Sequence, residues 1–245
     1  MNSNNYVDRH KGDVAIIVAS GPSISNGLIH KFRKTITRSV VVCVNMGVLA
    51  VENADYFYFT DGAPFSSTYF SEAVEQSGRT ICGCSFNHAD AMHLRISKFS
   101  NKIAFVGRRD SDTCDFSSSD GLLIRGSDAV HSAAHLAHLM GCTRIVLFGV
   151  DLCSKVGGEA HFVDESRYYP EIYNPWANGK DPFNLLPGKK VIKIIELDGE
   201  RFEIQRDWFT SFLVWKEIKR INPEVQLYSE SSRSLLRFLF PKFSI

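Results

Sequence analysis

Between residues 14 and 152 the chain repeats one pattern: a short apolar run closed by a turn signal or a polar residue. The runs are VAIIVAS (14–20), SVVVCVN (39–45), ADYFYFTD (54–61), RTICGCS (79–85), KIAFVG (102–107) and TRIVLFGVDL (143–152). They are continuously apolar rather than alternating, which marks strands covered on both faces and therefore parallel strands. Helical spacing fills 24–35, 66–77 and 127–140. Strands alternating with helices predict an α/β fold, a Rossmann-like doubly wound and mostly parallel sheet.

After Asp151 the pattern stops. Residues 154–190 are rich in Gly, Pro, Asn and aromatics and have no clear period, as expected of a functional loop or an insertion. Residues 191–207 read as a hairpin turning at Asp198-Gly199, a strong two-residue turn signal. A helix is expected over 208–221 and a last strand over 225–231. The expected organisation is a flexible N-terminus (1–12), a Rossmann-like nucleotide-binding core (13–153), an irregular lid or insertion (154–190), and a C-terminal hairpin, helix and strand (191–245) completing the same domain.

Composition narrows the partners. The chain has 245 residues, 44% of them hydrophobic and 22% charged, enough to bury a full core. A net charge of +1 gives no global steering toward nucleic acid or an anionic membrane. Two local basic clusters, HKFRKTITR (30–38) and VGRRD (106–110), are read as solvated surface first and as phosphate contacts second. The six cysteines show no zinc-knuckle spacing, since Cys82-Gly-Cys84 lacks a second pair. No signal peptide is recognised, and no apolar run approaches the roughly 20 residues needed to span a bilayer. A reducing cytoplasm is the expected location, without a membrane span.

Ligands of open α/β sheets collect beyond the carboxyl ends of the strands, where the strand order reverses. This chain places Ser20-Gly21-Pro22-Ser23, Asn45, Thr60-Asp61-Gly62 and Asp151 at such ends. Each has an ordinary explanation as a turn or cap residue; together they predict a site. Gly21-Pro22-Ser23 is neither GxGxxG nor a Walker loop. Its backbone amides and the following helix N-terminus suit an anion, while Ser23 also suits a helix cap. Gly126-Ser127 opens a small-residue helix expected to aim its N-terminus at the ligand. The stripe His131, His135 and His138 puts three rings on one helical face, but no zincin-type acid accompanies it, and no metal is expected there. His161 is a candidate acid, base or phosphate ligand. Tyr168, Tyr169, Tyr173 and Trp176 suit a lid over a base or sugar, or packing of the insertion.

The stretches IIVASGPSI, VNMG, ADYFYFTD and GSDAVHSAAHLAHLMGCTRIVLFGVDL followed by a histidine resemble the MptE-like superfamily. It includes archaeal 6-hydroxymethylpterin diphosphokinases and flagellin-glycosylating motility accessory factors. The order of motifs is also similar to the bacterial sialyltransferases of glycosyltransferase family 42. The resemblance covers about residues 13–165. It implies that Gly21, Pro22 and Ser23 meet the nucleotide phosphates and that Asn45, Gly126 and Ser127 line the donor pocket. It also implies that Asp61 is the strand-three acid and that His161 supports the departing phosphate. The sialyltransferases carry a later general-base histidine that this chain lacks, which leaves Asp61, Asp164 and Asp207 as candidate bases.

The expected function is a glycosyltransferase acting from a nucleotide-sugar donor, with a CMP-linked sugar among the candidates, and with His161, Asp61 and Asp151 in catalysis. The alternatives are a Mg-dependent diphosphokinase, in which Asp61 and Asp151 would ligate the cation, and a non-enzymatic nucleotide-binding module. A glycan and a hydroxymethylated DNA base are both candidate acceptors. From Arg201 onward eight Lys/Arg face five Asp/Glu, a weak basic bias, and the C-terminal aromatics equally suit a homo-oligomer interface.

Overall fold

The computed structural model describes residues 3–60, 67–85, 99, 101–109, 113–117, 120–158, 191–231 and 233–244. Ten strands and four α-helices lie in this part of the chain. In order they are β1 (Val14–Val18), α1 (Asn26–Thr35), β2 (Ser39–Val44), β3 (Tyr56–Phe59), α2 (Phe70–Gln76), β4 (Arg79–Ser85), β5 (Ile103–Arg108), α3 (Ala129–Leu139), β6 (Arg144–Phe148), β7 (Ser154–Lys155), β8 (Val191–Leu197), β9 (Glu200–Gln205), α4 (Arg206–Ile221) and β10 (Gln226–Ser229). A 3-10 helix, Asn45–Ala50, follows β2.

Seven strands form one parallel sheet in the order β10-β6-β1-β2-β3-β4-β5. Every residue of β1 is buried, as expected when both faces are covered. Ala15 and Ile17 pack with the α3 residues Ala133, Leu136 and Ala137 and with Trp215 of α4. Val14, Ile16 and Val18 pack on the opposite face with Ile29 and Phe32 of α1 and Phe70 of α2. Burying such side chains contributes about 1.5–3 kcal/mol each, so the central strand is the anchor of the fold. The arrangement is the doubly wound α/β sheet that the apolar runs predict.

The C-terminal part adds to this sheet and builds a second one. β10 lies parallel to β6 at the sheet edge, while β7, β9 and β8 form a three-stranded antiparallel sheet. The β8–β9 hairpin turns at Asp198 and Gly199, both with positive φ (53° and 78°), the backbone that a type I′ turn requires. On α4 the buried residues Ser211, Trp215 and Ile218 form one stripe.

Residues 3–12 differ from the expectation of a frayed segment. Tyr6 is buried, and the backbone N–H groups of Asp8, His10 and Gly12 donate to the carbonyls of Leu139, Met140 and Gly141. The segment therefore satisfies the last carbonyls of α3, a role for main-chain atoms that a polar composition hides.

Candidate functional site

Strand order reverses between β1 and β6: from β1 the chain runs outward through β2 to β5, then returns to lay β6 on the other side. The register sets Val18 beside both Phe148 and Cys43. Residues just beyond these three positions therefore share one rim. They are the Ser20–Ser23 turn, Asn45 and Gly149–Asp151. Gly21 donates its N–H to the carbonyl of Gly149 at 2.7 Å. The two chains run so close that a Cβ on Gly21 would meet Gly149 O at 2.4 Å and Asp151 Oδ2 at 2.6 Å.

Asp151 closes this contact. The Ser23 N–H donates to Oδ2 at 2.8 Å and the Ser23 hydroxyl donates to Oδ1 at 2.6 Å. Asp151 is 3% exposed. Burial raises its pKa, against the lowering effect of the Ser23 and Ser231 hydrogen bonds. The anion that the Gly-Pro-Ser turn holds is thus the chain's own carboxylate. The amide of Ile24 is also spent, on the carbonyl of Gly21. The sequence reading gave Ser23 a ligand or a helix cap; α1 instead begins at Asn26, with Ser25 in the cap position.

Asn45 stands at the end of β2 with φ 49°, a left-handed conformation that a non-glycine residue adopts at a cost. Its Oδ1 is buried and has no hydrogen-bond partner among the described residues. The following turn is pressed onto β1: a Cβ on Gly47 would lie 2.1 Å from the carbonyl oxygen of Val18. A strained backbone presenting an unpaired acceptor beside a strand-order reversal is the feature of this rim that most directly invites a ligand donor.

Gly126 and Ser127 reach the sheet by a different route, through α3, which packs on β1, β2 and β3. The expected helix start at Ser127 is corrected to Asp128, the N-cap residue. Its Oδ1 accepts from the N–H groups of Val130 (2.9 Å) and His131 (3.2 Å), and Ser211 of α4 donates its hydroxyl to Oδ2 at 2.5 Å. Burial works to raise the Asp128 pKa, but the His131 ring and the Ser211 hydroxyl outweigh it and bring it to about 2. A carboxylate therefore occupies the positive helix end expected to face a ligand. Gly126 has φ 59°, and a Cβ there would strike His131. Among the described residues no hydrogen bond joins Gly126 or Ser127 to the Gly21–Asp151 cluster.

The histidine stripe is divided among separate tasks. His131 lies against Trp215 with ring centroids 4.6 Å apart. His135 stacks on Phe116 at 4.8 Å. Among the described residues no group of three or more His, Cys, Asp or Glu is placed to hold a metal ion. All six cysteines are buried, and none forms a disulfide among the described residues. The basic clusters are partly spent: Arg33 pairs with Asp55, Arg38 with Asp13 and Arg109 with Asp120. Asp61, His161 and Asp164, together with the aromatic lid candidates, lie outside the described residues. Asp207 is exposed in the first turn of α4. Sequence reasoning missed Asp128 and Ser211. The signal was present as Asp-x-x-His before an apolar helix, a variant of the capping box that usually ends in Glu or Gln.

Among the described residues no helix is long and apolar enough to cross a membrane. The chain is similar over 94% of its length to the solved MAf glycosyltransferase from Magnetospirillum magneticum AMB-1, with a TM-score of 0.56 and 14% identity. It spans about a third of that protein, 35% of its length, and at this identity the likeness is one of fold. No curated protein matches the sequence significantly. The family model described as 6-hydroxymethylpterin diphosphokinase MptE-like matches residues 1–157, more than half of the chain. By that match, the chain belongs to the MptE-like family.

Proposed function

We propose that the chain is a transferase that moves a sugar from a nucleotide-activated donor, CMP-linked in the leading case, to an acceptor hydroxyl. The nucleotide docks over the β1–β6 rim. The observation that carries this reading is Asn45, a strained residue whose buried Oδ1 has no hydrogen-bond partner among the described residues. That oxygen accepts an N–H or O–H of the nucleotide. Gly21 and Pro22 give the closest backbone approach, and Gly126 and Ser127 bound the pocket from the α3 side. Asp151 acts by fixing the turn, because both of its oxygens are engaged by Ser23. Asp61 is the proposed base toward the acceptor hydroxyl, and His161 stabilises the leaving phosphate. A glycan is the favoured acceptor and a hydroxymethylated DNA base the second.

Thermal shift with CMP, UDP, GDP and ATP, with and without Mg²⁺, tests the donor class. A rise in Tm with a cytidine nucleotide that needs no Mg²⁺ supports the proposal. In Asn45→Ala the nucleotide should bind about tenfold more weakly, the effect of losing one buried hydrogen bond. No shift with any nucleotide would end this reading. The family description supports a second reading, pyrophosphoryl transfer from ATP to a hydroxymethyl compound. A response to ATP alone, and only with Mg²⁺, would favour it.

His161→Ala separates binding from chemistry. Transfer should slow by about 100-fold, within the range for a positioned acid or base, with donor Kd nearly unchanged. Wild-type turnover in this variant would remove His161 from the mechanism.

A further inference from the structure

We propose that the amino-terminal edge of the main sheet, opposite the strand ends just described, holds a second site that binds a phosphate-class oxyanion. A cleft of about 660 Å³ opens there, lined among others by Arg9, Tyr56, Ser77, Arg79, Thr80 and Lys102. Its position follows from the topology. Tyr56 and Arg79 are the first residues of β3 and β4 and are register partners, and Lys102 directly precedes β5.

Two guanidinium groups converge on this cleft. The Arg79 carbon sits 5.3 Å from the centre of the Tyr6 ring. Arg9 lines the same cleft; burial raises the Tyr6 and Tyr56 phenols, and both guanidinium charges lower them. Two carboxylates, Asp55 and Glu75, share the cleft, and each is already paired with a cation. Asp55 pairs with Arg33 at 3.2 Å and accepts the Val41 N–H at 2.8 Å. Glu75 pairs with Lys102. Among the described residues neither Arg9 nor Arg79 has a carboxylate partner. Two guanidinium charges left over beside carboxylates that are already neutralised favour an anion from outside.

The hydroxyls supply an independent observation. Thr80 is 1% exposed and its Oγ1 has no hydrogen-bond partner among the described residues; Ser77 Oγ, in the same lining, is likewise buried and unpaired among them. Buried hydroxyls are seldom left unmatched. Two forked cations and two unused O–H donors need a partner with a negative charge and more acceptor oxygens than a carboxylate offers. A phosphate meets both needs, and arginine binds it in a bidentate fashion.

The test is a ¹⁵N–¹H titration of the full chain with inorganic phosphate, pyrophosphate and, separately, CMP, at ionic strength held constant with NaCl. Saturable shifts are expected at the Gly78, Arg79 and Lys102 amides. Affinity should fall at least tenfold in Arg9→Gln and in Arg79→Gln. Arg9 is exposed, so its substitution leaves the core intact. Arg144→Gln removes the same charge from another strand start and should change affinity less than twofold. Tighter binding of CMP than of phosphate would assign the site to a nucleotide; the reverse would assign it to free phosphate or pyrophosphate. Absence of saturation overturns the proposal. So do equal shifts with chloride, or a loss in Arg144→Gln as large as in Arg9→Gln.

Discussion

Asp151→Ala is expected to lower stability by about 3 kcal/mol in urea denaturation and to abolish any nucleotide-dependent rise in Tm. Among the described residues the carboxylate is the partner of both the Ser23 N–H and the Ser23 hydroxyl, at 2.8 and 2.6 Å. Removing it leaves two donors unmatched, each costing about 1–3 kcal/mol when buried. The turn that they hold is the same one that Gly21 brings against Gly149, so stability and binding should fail together. Asp151→Asn discriminates between charge and hydrogen bonding. Burial raises the Asp151 pKa, which means that the charge itself is held at a cost. An asparagine accepts the Ser23 N–H through Oδ1 and donates its amide to the Ser23 oxygen. It should therefore stay within about 1 kcal/mol of the wild type. A wild-type urea midpoint in Asp151→Ala would show that the contact contributes nothing to the fold.

The sheet was legible in the sequence because its strands are buried on both faces. Continuous runs such as VAIIV and RIVLF have no other common use at that length, and Asp198-Gly199 has a backbone reason to be a hairpin turn. Topology also brought Ser23, Asn45 and Asp151 to one edge before any coordinates. It did not say which groups bond. Ser23 and Asp151 are separated by 128 residues, and no local pattern announces that one will occupy the other. The α3 terminus was misread for a similar reason. Gly126-Ser127 looked like an open anion seat because the cap one residue later, Asp128, is completed by Ser211 from a distant helix. The histidine stripe had the right periodicity, but periodicity fixes a face and not its neighbours. The docked N-terminus escaped notice because its partners are main-chain carbonyls.

One of those stripe residues, His135, is expected to dominate the loss of stability at mildly acid pH. His135 accepts the Ile124 N–H at Nδ1 (2.9 Å) and places Nε2 3.1 Å from the Phe116 carbonyl. That pair of contacts fits the neutral ring with its proton on Nε2; a second proton on Nδ1 would point at another N–H. Burial, then Arg109 and His138, lower its pKa to about 3 from the ordinary 6.5. The unfolded chain takes up a proton below pH 6.5 while the folded chain does not, so stability falls as the pH falls. From pH 6.5 to 4 the loss is on the order of 3 kcal/mol. Other groups act outside this window, against the trend or with it. Asp128, held at about 2, gives stability that is complete above its unfolded value and is lost only as the pH drops from about 4 toward 2. Asp151, with its raised pKa, gains stability on acidification and opposes the trend. His138 is lowered by burial and adds to it. In His135→Asn an amide oxygen still accepts the Ile124 N–H but nothing titrates. Whatever its absolute stability, this variant should lose about 1.4 kcal/mol per pH unit of the wild-type slope between pH 6 and 4. Equal slopes for the two proteins, measured by urea denaturation across that range, would show that His135 does not govern the acid response.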